Sequence, residues 1–152
     1  MKILAWNIRQ DGGSRTVDIG QSIIRHQADC VILSEYRNNS SGHYIRTKLL
    51  TSGFAYQYCS HKIGTKNGVL IASKSPCDFA TFSNDIPDFP KAIVVAKTPD
   101  IWIWGLYLPH KKKHSIFEFI TDRIDSSFHH ILIGDLIPGK IQRSEGRFLS
   151  VY

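Results

Sequence analysis

The sequence predicts a mixed α/β layered domain, and three observations predict it. Short apolar runs rich in β-branched and aromatic residues recur along the whole chain. Between some of them, apolar residues return at helical spacing. The resulting order is strand, helix, strand, helix, a run of strands, one helix and a last strand, which fits neither an all-α nor an all-β domain. The chain has 152 residues, 42% hydrophobic and 21% charged. That suffices for one hydrophobic core, so residues 1–152 are read as a single domain.

The strands follow in order. Ile3–Ile8 is the first, then Cys30–Leu33, Ala55–Cys59, Val69–Ala72, Ala92–Ala96, Ile101–Leu108 and Ile131–Ile133. Gly, Pro, Asn and Ser clusters separate them. In Ile101-Trp102-Ile103-Trp104-Gly105-Leu106-Tyr107-Leu108 both alternating faces are apolar, which places that strand inside a sheet covered on both sides. The first helix is expected over Ser14–Gln27, with Val17, Ile19, Ile23 and Ile24 on one broad face, and a shorter one over Tyr44–Leu50. The third is expected between His114 and Phe128, where Ile116, Ile120, Ile124 and Phe128 recur every four residues. Ser115 and Glu118 there have capping-box spacing. No internal repeat or low-complexity tract interrupts the pattern.

No apolar run approaches the roughly 20 residues a membrane helix needs. The start, Met1–Arg9, turns polar too soon for a signal peptide, so a cytoplasmic location is expected. The net charge is +6 and unevenly placed. Residues 1–76 hold ten Lys and Arg against four Asp and Glu, whereas residues 77–152 hold nine of each. Such an excess favours a polyanionic partner without requiring one. Cys30, Cys59 and Cys77 are an odd count without CxxC spacing, which reads as small thiols rather than a disulfide framework or zinc site.

Several apolar runs end in a residue capable of chemistry: Asn7, Glu35, Tyr107 and Asp135. Strand ends are polar in most folds, but they also present functional groups to clefts. Two carboxylates and an amide at such a rim offer oxygen ligands, which suit Mg2+ or Mn2+ rather than zinc. A hard cation beside a basic surface fits phosphate-ester hydrolysis.

Five motifs then stand in order: Trp6-Asn7-Ile8, Leu33-Ser34-Glu35, Gly68-Val69-Leu70-Ile71-Ala72-Ser73-Lys74, Tyr107-Leu108-Pro109 and Gly134-Asp135-Leu136. In order and approximate spacing the chain resembles the endonuclease/exonuclease/phosphatase superfamily, the DNase I-like group that includes the exonuclease III-type abasic endonucleases. The resemblance implies a layered α/β sandwich, of which this chain would hold the N-terminal half to two-thirds. It implies a Mg2+- or Mn2+-dependent phosphodiesterase, most plausibly acting on nucleic acid. Glu35 would be the principal metal ligand, and Asn7 would orient it or ligate directly. Tyr107 would bring its hydroxyl to the scissile phosphate, and Asp135 would hold and activate the attacking water. His110, with Lys111, Lys112 and Lys113, reads either as a phosphate-backbone contact or as a solvated loop.

Two departures stand against this pattern. The superfamily usually places Asn two residues after the Gly-Asp aspartate, where this chain has Ile137, which can donate no hydrogen bond. The superfamily also ends in an Asp-His pair, and residues 136–152 contain neither Asp nor His. An active enzyme, a degenerate module binding nucleic acid or protein, and a truncated product are therefore all open readings. With half of the sandwich, one sheet would lack its partner, and its apolar inner face is expected to drive self-association.

Overall fold

In the computed structural model, residues 1–61, 64–86, 89–108 and 113–135 are described, apart from the side chains of Asp11, Thr65, Lys113 and His114. The elements are β1 (Ile3–Asn7), α1 (Thr16–Arg25), β2 (Cys30–Asn38), α2 (Ser40–Thr51), β3 (Tyr56–Cys59), β4 (Gly64–Ser73), β5 (Asp78–Ala80), β6 (Ile93–Lys97), β7 (Ile101–Tyr107), α3 (Lys113–Thr121) and β8 (His129–Asp135). They form two four-stranded sheets, ordered β1-β2-β4-β3 and β5-β6-β7-β8. In each sheet one outer pair is parallel, β1 with β2 and β7 with β8, and the remaining pairs are antiparallel.

The sheets pack face to face. Cys30, Ile32, Val69 and Ile71 of the first meet Val94, Ala96, Ile103 and Ile133 of the second in one buried layer. At Gly105 the approach is so close that a Cβ would lie 2.9 Å from Val69 and 3.0 Å from Ile71. The outer face of the first sheet is covered through Ile19 and Ile23 of α1 and Ile45 and Leu49 of α2. The outer face of the second is covered by Ile116, Phe119 and Ile120 of α3, with Phe82 stacked on Trp104 at 5.7 Å. The layers thus run helix, sheet, sheet, helix, as the expected layered α/β sandwich requires. No helix among the described residues is long and apolar enough to cross a membrane.

The expectation of one sheet with an uncovered inner face is corrected. Among the described residues both sheets are present, and their inner faces pack on each other rather than standing bare. Four strands per sheet are enough to bury a face, and the sequence pattern does not say which strands share a sheet.

Local chemistry explains where element ends differ from the apolar pattern. α2 begins at Ser40 rather than Tyr44 because Asn39 accepts the Gly42 N–H at 3.0 Å and caps a polar first turn. It ends in a Schellman turn, with Phe54 N–H donating to Leu49 O and Gly53 N–H to Leu50 O, both at 3.1 Å. α3 starts at Lys113, which puts Ser115 inside the first turn rather than at a cap. It stops at Thr121, short of Phe128, and unwinds through a turn in which Arg123 N–H donates to Ile120 O at 3.0 Å; Asp125 then accepts the Ser127 N–H at 2.8 Å ahead of β8. Val17, expected on the buried face of α1, is instead exposed. β5 is three residues long with no apolar run to announce it. β7 lies between β6 and β8 and is covered on both faces, as its sequence predicts.

Candidate functional site

The parallel pairs of both sheets end on the same side of the sandwich, and the polar strand-end residues meet there. Asn7 closes β1, and Tyr107 and Asp135 are paired in register at the ends of β7 and β8. Glu35 lies within β2 at a bulge: Ser34 pairs with Val69 and Tyr36 with Gly68, leaving Glu35 as the extra residue. Its φ is +55°, a left-handed conformation that is uncommon for any residue but Gly, Asn or Asp. The bulge breaks the strict alternation of β2 at the residue that would be its metal ligand. On the other sheet, Gly134 holds φ +156°, and a Cβ there would sit 1.9 Å from Leu106 O. Glycine therefore lets β8 lie close to β7 just before Asp135.

Two amides tie the cluster together. Asn7 Nδ2 donates to Glu35 Oε1 and to Asp135 Oδ2, both at 3.0 Å, joining a carboxylate of one sheet to a carboxylate of the other. The carbonyl of Asn7 is already engaged, accepting the Arg9 N–H at 2.9 Å in an Asx-type turn. Asn67 repeats the arrangement. Arg37 Nε donates to its carbonyl at 2.8 Å, and its Nδ2 faces Glu35 Oε2 at 3.4 Å and the Tyr107 hydroxyl at 3.5 Å. In both amides the oxygen is taken by a donor, so the N–H groups face the anionic cluster.

The structure thus brings together Asn7, Glu35, Tyr107 and Asp135, all four expected from the sequence. Asn7 touches both carboxylates through its nitrogen, which fits the orienting role better than the ligating one. Arg37 is the residue that sequence reasoning missed; Asn67 entered it only as the end of the basic, Gly-containing segment 61–67, a weaker candidate for phosphate contact. Residues 64–67 of that segment lie in β4, which places Asn67 beside β2, where Arg37 meets it beyond the bulge. His110, Lys111 and Lys112 lie outside the described residues, as does Ile137. Lys113 opens α3, but its side chain is not among those described.

The oxygen donors suit a hard cation. Glu35 and Asp135 converge on one point, and among the described residues their partners are neutral amides rather than cations. Two carboxylates held so close repel each other, and a divalent cation is the group that would offset this. The described residues hold no group of three or more His, Cys, Asp or Glu that would make a complete cage.

Beside the cluster, His61 fits against Gly68 and accepts the Asn38 N–H through Nε2 at 3.3 Å. Burial, with the Lys91 ammonium nearby, holds its pKa below the ordinary 6.5. A cavity of about 340 Å3 lies away from the cluster, between α2 and β3. A cavity of about 230 Å3 borders the cluster at Asn67 and Tyr107.

No protein-family model matches the chain, and no curated protein matches it. Solved structures do. An AP endonuclease from Archaeoglobus fulgidus superposes with a TM-score of 0.68 at 20% identity, over 89% of this chain and 56% of that one. ANGEL2, a 2',3'-cyclic phosphatase, gives 0.60 at 17%, over 88% and 52%. An endonuclease/exonuclease/phosphatase from Beutenbergia cavernae gives 0.58 at 16%, over 87% and 46%. The fold is therefore that of the DNase I-like endonuclease/exonuclease/phosphatase proteins, and the chain spans about half the length of these three.

Proposed function

We propose that this chain carries the Asn7–Glu35–Tyr107–Asp135 part of a Mg2+-dependent phosphodiesterase site acting on nucleic acid. The single observation that supports it most is one amide, Asn7 Nδ2, bonded to carboxylates from two different sheets. An architectural strand end has no reason to gather two anions around one donor, whereas a cation site does. That the matched structures include an AP endonuclease and a 2',3'-cyclic phosphatase supports phosphate esters as the substrate class. The excess positive charge of residues 1–76 favours nucleic acid among them.

In this reading Glu35 is the principal ligand, with Asp135 beside it, and Asn7 and Asn67 fix the two carboxylates. A bound Mg2+ supplies Lewis-acid polarisation of the phosphate and neutralises charge gathering on its oxygens. Asp135 accepts a proton from the attacking water, held in place by the Asn7 amide. Tyr107 directs its hydroxyl at a phosphate oxygen, steadied by Asn67. Arg37 acts through Asn67 as a positioning residue. His110 and Lys111–Lys113 follow Tyr107 in sequence and would contact the flanking phosphates.

A second reading is a degenerate module that binds nucleic acid without cleaving it, and Ile137 favours it. Losing one positioned donor commonly costs about 2.7–4 kcal/mol of barrier. Cleavage of plasmid and abasic-site DNA with Mg2+ decides between them. The enzyme reading expects cleavage by the wild type, and losses of about 10²–10⁴-fold for Asp135→Asn and comparable losses for Glu35→Ala. Equal cleavage by wild type and variants contradicts the assigned site. DNA binding without cleavage by any of the three supports the module.

A further inference from the structure

The cavity of about 230 Å3 beside the cluster has a wall that the proposed chemistry does not use. One side is Asn67 and Tyr107, whose side chains meet at 3.5 Å, with Lys66 next to them. The other side is the turn Phe89-Pro90-Lys91-Ala92. This turn is built firmly: Ala92 N–H donates to Phe89 O at 3.0 Å, and Pro90 stands at the position where proline presets a turn. Ser83 Oγ donates to Pro90 O at 2.7 Å, and Tyr107 N–H donates to Ala92 O at 2.9 Å. The turn is thereby bonded to the same residue whose hydroxyl faces the cluster. Lys91 is presented at its tip, near enough to His61 to help hold that ring neutral.

The lining combines two lysines with Pro90 and with Phe89, which also packs against the core of the second sheet. That combination recognises a phosphate joined to a planar ring, since aromatic stacking accepts any base and lysine binds phosphate as a point charge. The volume is below the roughly 300–1,000 Å3 of sites that hold a whole small molecule. It suits one unit of a longer substrate.

We propose that this cavity receives the nucleotide adjoining the scissile phosphate, with its phosphate between Lys66 and Lys91 and its ring against Phe89 and Pro90. The inference rests on the phosphodiesterase reading and narrows its substrate to a chain of at least two nucleotides. The test is binding without divalent cation, so that nothing is cleaved, of thymidine 5'-monophosphate and of the dinucleotide pTpT. The wild type is expected to bind pTpT about tenfold more tightly than the mononucleotide. Lys66→Gln with Lys91→Gln should lose that preference, and Phe89→Ser should lose part of it. Circular dichroism checks that each variant is folded. Equal affinity of the wild type for the two ligands overturns the proposal, and so does a preference that survives the double lysine variant. Failure of the hydrolytic reading shows elsewhere, as cleavage indifferent to Glu35→Ala, which leaves this comparison untouched.

Discussion

Asn7 is the residue on which the site turns, because its one amide reaches both carboxylates while its oxygen is held by the Arg9 N–H. Asn67 is held in the same manner by Arg37. Arg37→Ala frees the Asn67 amide to rotate, and is expected to cost about 10–100-fold in metal affinity or activity. Arg37→Lys should not restore it, since a flexible ammonium replaces a fixed planar donor. Titration of Mg2+ by calorimetry, with cleavage rates alongside, checks this. His61 gives a pH signature of its own. Its folded pKa lies below the ordinary 6.5, so on acidification the unfolded chain takes up the proton first. Stability is therefore full above about pH 6.5 and is lost as pH falls from there towards the folded pKa. Urea midpoints at pH 7.5 and 5.5 should show the fall, and His61→Gln should reduce it. Asn7, Glu35, Tyr107 and Asp135 are legible in the sequence because each ends or interrupts an apolar strand run. Asn67 and Arg37 are not, because what marks them is a contact between β2 and β4, which a linear pattern does not contain.

The elements are shaped to present these residues. The β2 bulge holds Glu35 at φ +55°, where an L-residue is strained by roughly 1–2 kcal/mol. Glu35→Gly removes the strain along with the carboxylate. The expected outcome is a gain of about 1 kcal/mol in urea unfolding, accompanied by loss of cleavage. A loss of stability would mean that the bulge is held by the carboxylate's hydrogen bonds rather than strained for its sake. The strand runs, the central place of β7 and the burial of Ile19, Ile23, Ile116 and Ile120 on α1 and α3 are legible because burial imposes periods of 2 and 3.6 on the apolar residues. The bulge is not, because one inserted residue leaves the apolar run Cys30–Leu33 unchanged. The start of α2 and the end of α3 also escape the pattern. The first is set by the side-chain oxygen of Asn39, and the second by backbone turns at 120–124; neither leaves an apolar trace.

At the scale of the whole molecule, the sandwich brings two chemically unlike halves into one site. The first sheet, with residues 1–76, carries the whole +6 excess and supplies Asn7, Glu35 and Asn67; the second is neutral overall and supplies Tyr107 and Asp135. Gly105 permits the close approach of the sheets, and the layer around Ile32, Val69, Val94 and Ile103 holds their strand ends together. The layered class was legible from the order of runs, but the pairing of strands into two complete sheets was not. Strand partners here are up to tens of residues apart, as Cys30 is from Ser73, and spacing alone cannot assign them. The central claim is that Glu35 and Asp135, from different sheets, serve one divalent cation. Mn2+ titrated into the 15N-labelled protein tests it most directly, because the ion broadens the amide signals nearest to it. The signals of Asn7, Glu35 and Asp135 are expected to broaden together at the lowest Mn2+ ratio, and Glu35→Gln should abolish the effect at all three. Broadening confined to one sheet, or centred away from these residues, would contradict the claim.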